Sequence, residues 1–176
     1  YNTIDGYRAA ELNFDNINAE LLCEDDLALE CIIKTNSAGA LALSAEAVGI
    51  MQVCFDLTLD YLKTRKQFGK SIGAFQSIQH RMVDMMLEIE QVRSAVMLAS
   101  STFETNSSTR DKNVSAAKNL VGRVGKLIAE ESIQLHGGIA MTWEYSVAHY
   151  AKRLIMIDHL MGCLLYTSDA ADDTCS

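Results

Sequence analysis

The stretch TRKQFGKSIGAFQSIQH, Thr64–His80, lies between two long runs of helical periodicity and decides how they are joined. It gathers Arg65, Lys66 and Lys70 beside Phe68-Gly69, ahead of a helix start near Gly73. A helix N-terminus presents free N–H groups and the positive end of the helix dipole. Fixed guanidinium and ammonium groups beside it make the joint a physical recipe for holding an anion such as a phosphate. The same residues also suit a solvated basic turn, and the loop alone leaves both readings open.

Before this joint, from about Asp25 to Thr64, Leu29, Ile32, Ile33, Leu41, Leu43, Val48, Met51, Phe55, Leu59 and Leu62 recur at three- and four-residue steps, the spacing of a buried helix face. The small residues of NSAGALALSAEAVG let a neighbouring helix come close. After the joint, a second helix is predicted from about Ala74 to Glu104, with Met82, Met85, Met86, Ile89, Val92, Val96 and Leu98 facing inward. A third is predicted from about Asp111 to His136, and a last one carries VAHYAKR. The connections KQFGKSIG and TNSSTR are short, so the long helices must run back and forth as an antiparallel bundle. Only the beginning is strand-like: around Tyr7 to Phe14, between the turn signals Asp5-Gly6 and Asp15-Asn16, one or two edge strands are expected. The resulting fold class is mainly α, an antiparallel helical bundle preceded by one or two edge strands.

Composition narrows the function classes. The 176 residues are 49% hydrophobic and 22% charged, ordinary for a globular domain. Fifteen Lys and Arg against 23 Asp and Glu give a net charge of −8, which disfavours a nucleic-acid backbone or an anionic membrane as main partner. No apolar run is expected to span a bilayer, and the first residues have no signal-peptide pattern, so the expectation is a cytoplasmic protein. Five cysteines without CxxC spacing read as thiols rather than disulfides or a metal site. The histidines His80, His136, His149 and His159 have no ligand spacing, and no metal is expected.

Both ends read as cut. After Gly162 the character changes, and residues 163–176, CLLYTSDAADDTCS, resemble translated sequencing adapter. Leaving that tail out removes three acidic residues, so 15 basic stand against 20 acidic ones, a net charge of −5.

QLHGGIA, Gln134–Ala140, breaks the third helix with two glycines. Without a Cβ, Gly137 and Gly138 can bring backbone N–H groups against a ligand, and a single glycine can also serve as a helix C-cap.

AEAVGIMQ, TRKQFGKSIGAFQSIQH, QLHGGIAMTWEY and VAHYAKR, in this order, together resemble the C-terminal helical-bundle domain of the acyl-CoA dehydrogenase family. DGYRAAELNFDNI is similar to the final strands of that family's middle β domain, so the resemblance implies a four-helix bundle over residues 25–162 preceded by a remnant of a β domain over residues 1–24. The resemblance implies an FAD site shared across subunits of a homo- or hetero-oligomer. Arg65 and Gln67 would meet the pyrophosphate and adenine side, Phe68 would pack on the cofactor, and Gln76 would hydrogen-bond near it. Gln134, Gly137 and Gly138 would line the same dinucleotide. The implied reaction is oxidation of an acyl-CoA to the 2,3-enoyl-CoA: a carboxylate takes the α-proton, the β-hydride goes to flavin N5, and electrons pass on to a separate acceptor protein.

The carboxylate is where the sequence departs from the family pattern. The glutamate of the usual Glu-Gly pair falls on Met161, followed by Gly162, and the position used by other branches falls on Gly39. Neither can take a proton, so the catalytic base stays unassigned. Glu46 shares the face of Gly39 but sits roughly 10 Å further along the helix and is expected to be a partner in helix packing or a subunit contact. Asp158 and Glu144 lack a motif warrant. Ser71 and Ser146 stand where the family usually has proline, which points to a divergent branch. Two functions follow: a fragment of an FAD-dependent acyl-CoA dehydrogenase, itself inactive, or a non-catalytic subunit that completes a partner's FAD site.

Overall fold

The computed structural model describes residues 1–162; the adapter-like residues 163–176 lie outside the described residues. Four helices follow one another: α1 (Asp25–Thr64), α2 (Gln76–Ser101), α3 (Ser107–His136) and α4 (Ser146–His159). Between α1 and α2 lies a minimal hairpin of β1 (Lys66–Gln67) and β2 (Lys70–Ser71), with Lys66 opposite Ser71 and Gln67 opposite Lys70. The chain is thus mainly helical, as the periodicity predicts.

Side-chain contacts fix the helix directions. Lys34 near the start of α1 reaches Glu104 just beyond α2, and Ser37 donates to Asp111 near the start of α3. At the other end, Tyr61 of α1 stacks on His136 of α3. The helices therefore alternate in direction, with α1 and α3 sharing the largest contact and α2 and α4 each laid against both. The α1–α3 seam is built from small residues: Ala40, Ser44 and Ala47 on α1, Gly122 and Gly125 on α3. A Cβ on Gly125 would lie 3.5 Å from Cε of Met51, so the seam closes on ordinary van der Waals contact. Met51, Met85, Val92, Val124, Ile128, Leu154 and Ile157 form the centre of the core. The buried hydroxyls Ser44 and Thr58 donate back to the carbonyls of Ala40 and Cys54, so no unmet polar group is added there. Burial pushes the Cys54 thiol up to about 12, which leaves it an inert core residue.

Several boundaries move for local reasons. Ile72–Ala74 is a 3-10 turn, so α2 starts at Gln76 rather than near Ala74. Asn106 caps α3, its side-chain oxygen accepting from the Thr109 N–H at 2.9 Å, and the helix begins at Ser107 rather than Asp111. On α2 the buried stripe is Met82, Met85, Ile89, Val92, Val96 and Ala99, while Met86 and Leu98, expected inside, are exposed. On α1, Leu29, Ile32 and Ile33 are also exposed, because this part of the helix runs past Ser37, which lies opposite the first turn of α3.

The strand expected around Tyr7 to Phe14 does not form. Backbone pairing there is limited to a bridge between Asn2 and Arg8, and among the described residues no neighbouring strand lies alongside. The expectation that no run is long and apolar enough for a bilayer also needs correction. An 18-residue window of α1 reaches a mean hydropathy of 1.6, because the Ala, Gly and Leu residues that make the close α1–α3 seam are nearly free of charge. A third of that window is buried inside the bundle.

Candidate functional site

Two regions at opposite ends of the bundle carry the predicted site residues. At the end where α1 and α3 finish, the Arg65 N–H caps α1 by donating to the Tyr61 carbonyl at 2.8 Å, and the Arg65 carbonyl accepts from Ile72 N–H at 2.9 Å. Ser71 Oγ donates to the Leu62 carbonyl at 2.7 Å, folding the hairpin back onto the helix end. A Cβ on Gly73 would lie 3.0 Å from that same carbonyl, so close passage of the backbone requires glycine here. Ser71 thus contributes a hydroxyl that fastens the joint.

The hairpin turn is Phe68-Gly69, with φ of 53° and 79°, the left-handed pair of a type I′ turn. A bulky residue is costly in that conformation, and Phe68 is 90% exposed at the tip, its ring meeting that of Phe75 edge to face. Lys70 Nζ stands 4.1 Å above the Phe75 ring. Arg65, Gln67 and Gln76, the last being the first residue of α2, are all exposed.

The end of α3 joins this face through aromatic contacts. Tyr61, four residues before Arg65, stacks on His136 at 4.6 Å, and Tyr145 meets the His136 edge at 5.1 Å. His136 is buried, its Nδ1–H donates to the Ser132 carbonyl at 2.8 Å, and burial holds its imidazole below the usual value and neutral. Burial, followed by the neighbouring Tyr61, raises Tyr145. Gly137 caps α3 with φ 68° and ψ −149°, donating its N–H to the Ile133 carbonyl. Gln134, Gly137 and Gly138 are exposed, and a Cβ on either glycine would meet nothing within 4 Å. Within this chain the glycines make a cap and an open edge, not a close approach. The end of the bundle thus offers a guanidinium, amide side chains, an open backbone edge and a free aromatic face. That donor set fits a dinucleotide carrying a pyrophosphate and a flat ring system.

At the opposite end, α4 finishes in a turn where Met161 has φ 53° and Gly162 φ 106°. The Met161 side chain lies on α1: a Cβ on Gly39 would be 3.2 Å from Met161 Cε and 3.4 Å from its Sδ. The two positions at which a catalytic carboxylate is sought are therefore in contact, and neither holds one. A cavity of about 180 Å³ opens beside them, lined by Asn36, Ser37, Ser115, Asn119 and Asp158 among others.

Glu46 is engaged elsewhere. Both its oxygens accept from Arg153, at 2.7 and 2.9 Å, and Arg153 also donates to Asp5 at 2.8 Å and covers the Tyr7 ring at 4.6 Å. Burial pushes Asp5 up, but hydrogen bonds from Thr3, Arg153 and the backbone together hold its carboxyl below the ordinary range. Glu46 is thus a packing partner, as expected, and Arg153 pins the N-terminal segment to the bundle. Glu144 sits at the Arg65 end of the bundle, away from Met161. The sequence reading passed over Lys118, Arg153 and Asp5. Lys118 did carry a signal, a lysine set among Val114, Ala117 and Val121 on the apolar face of α3.

Residues 29–162 match the profile of the acyl-CoA dehydrogenase C-terminal domain, which is most of the described chain. The protein belongs to the acyl-CoA dehydrogenase family. One similar relative is acyl-CoA dehydrogenase IpdE2 of Mycolicibacterium smegmatis, 37% identical over 123 residues, covering 70% of this chain and 38% of the relative. Among solved structures, the butyryl-CoA dehydrogenase of Megasphaera elsdenii superposes with a TM-score of 0.78 at 25% identity, over 86% of this chain and 39% of that one. A steroid ACAD, Tcur3481-Tcur3483, superposes with a TM-score of 0.72 at 28% identity, over 78% of this chain and 38% of that one. The chain spans less than two fifths of the length of these relatives.

Proposed function

We propose that this chain is the C-terminal helical part of an FAD-dependent acyl-CoA dehydrogenase acting on acyl-CoA thioesters to give 2,3-enoyl-CoA. One observation carries the reading: Arg65, Gln67, Phe68, Gln76, Gln134, Gly137 and Gly138 come to one end of a bundle of this family's fold, all exposed. Arg65 and Gln67 would hold the pyrophosphate and adenine side through charge-assisted and amide hydrogen bonds. Phe68 would cover a ring face, and Gln76 and Gln134 would supply further amide contacts. The backbone edge at Gly137-Gly138 leaves room for close approach. Bound FAD supplies the hydride acceptor for the β-carbon of the thioester. Electrons then leave to an electron-transfer acceptor protein. The test is anaerobic addition of acyl-CoA thioesters to the full-length, flavin-loaded protein. Bleaching of the flavin is expected, and an unbleached flavin across short, long and steroid-like thioesters would sink the proposal.

A second reading rests on Gly39 and Met161. With no carboxylate at either position, the chain would complete a partner's FAD site in a hetero-oligomer, and proton abstraction would fall to the partner. The resemblance to a steroid ACAD named for a pair, Tcur3481-Tcur3483, agrees with this reading. Turnover by the isolated full-length chain would eliminate it; activity only after a sister chain is added would establish it.

A further inference from the structure

Lys118 is 7% exposed, buried between α3 and the end of α4, an expensive place for an ammonium group unless its protons are all used. It donates to the carbonyls of Ile157 at 2.9 Å, Asp158 at 3.1 Å and Gly162 at 2.9 Å. The first two belong to the last turn of α4, where the Ile157 carbonyl accepts only a 3.2 Å capping bond from the Leu160 N–H and the helix dipole is negative, so a buried cation is favoured there. The third lies beyond the helix, and reaching it requires the chain to reverse through Met161 and Gly162, both at positive φ. The reversal brings the Met161 side chain onto Gly39.

We infer that Lys118 is a positioning residue: by tying Ile157, Asp158 and Gly162 together from α3, it holds the α4 turn so that the side chain at position 161 faces position 39. The catalytic consequence rests on the dehydrogenase reading, because position 161 is where that chemistry would want a base. The geometric claim stands apart from it.

The test separates the two. In the full-length protein, Gly39→Cys with Met161→Cys forms a disulfide on mild oxidation, followed by peptide mapping, with helicity checked by circular dichroism. Adding Lys118→Met slows this cross-link at least tenfold, and Lys118→Arg, which keeps charge and donors, restores at least half of the rate. An unchanged rate in Lys118→Met overturns the inference, as does a Lys118→Arg rate no better than that of Lys118→Met. Should Lys118→Met lose helicity, Lys118→Gln takes its place, since its uncharged amide has only two N–H donors for the three carbonyls. A slowed cross-link then supports the role and an unchanged one overturns it. A second arm reads the chemistry. Met161→Glu in the flavin-loaded protein bleaches with acyl-CoA, and adding Lys118→Met lowers that rate at least tenfold with little change in KM. If Met161→Glu fails to bleach while the cross-link still depends on Lys118, the positioning stands and the dehydrogenase reading is what fails.

Discussion

Met161 rests on Gly39, with its Cε 3.2 Å from where a Cβ would stand. The neighbour is the far end of a flexible side chain, which can move by a few tenths of an ångström. Gly39→Ala therefore adds helix propensity inside α1 at little steric cost and is expected to stabilise the protein by up to ~1 kcal/mol. Chemical denaturation measures it; a clear loss of stability would mean that the Met161 turn cannot yield.

Arg153 bridges Glu46 on α1 and Asp5 in the N-terminal segment, and the Asp5 side chain is only 2% exposed. Arg153→Met leaves that carboxylate without its cation and should cost roughly 1.5–3 kcal/mol, the range for charge-assisted hydrogen bonds. Limited proteolysis is expected to cut the first 24 residues faster in the variant, with the bundle intact. Equal cutting would mean that the segment is held by something else.

His136 is held neutral by burial, so its folded pKa lies below the ordinary 6.5. A depressed folded value gives a stabilising contribution that is complete above 6.5 and is lost as pH falls, because the unfolded chain takes up a proton that the native chain refuses. The melting temperature should fall as pH drops from about 7.5 towards 5, and His136→Gln should flatten that slope. An unaltered slope in the variant would remove His136 as its origin.

Gly137 combines φ 68° with ψ −149°, a region that only glycine occupies without strain, although nothing stands near its missing Cβ. Gly137→Ala is expected to destabilise by about 1–3 kcal/mol. Gly138→Ala, equally open but without a positive φ, should be close to neutral in thermal unfolding. Equal effects at the two positions would contradict this account of the cap.

Much of this was legible in the sequence because apolar periodicity and short joints leave few alternatives. Met51, Met85, Val92 and Leu62 lie in the core where their spacing puts them. Periodicity identifies a stripe but not its neighbours. Leu29, Ile32 and Ile33 continue the α1 pattern past the point where α3 begins, and they stand exposed. A one-position slip around the stripe separates Ala99, which is buried, from Leu98, which is not. The strand at Tyr7–Phe14 failed because pairing is a property of two segments and one was read. At the site, the order of TRKQFGKSIG and QLHGG in the chain foretold their common end, since alternate helix ends meet in an antiparallel bundle. The Lys118 and Arg153 networks were hidden because they join residues 39 to 148 positions apart, beyond any local pattern.

The most direct test of the central claim is the FAD content of the purified full-length protein, compared with Arg65→Ala and Gly138→Val. The account predicts flavin in the unaltered protein and at least tenfold weaker retention in Arg65→Ala, since a lost charge-assisted contact is worth about 1.5–3 kcal/mol, and weaker retention in Gly138→Val, whose side chain fills the open backbone edge, both at unchanged helicity. Full FAD content in both variants would contradict the assignment of this end of the bundle to the cofactor.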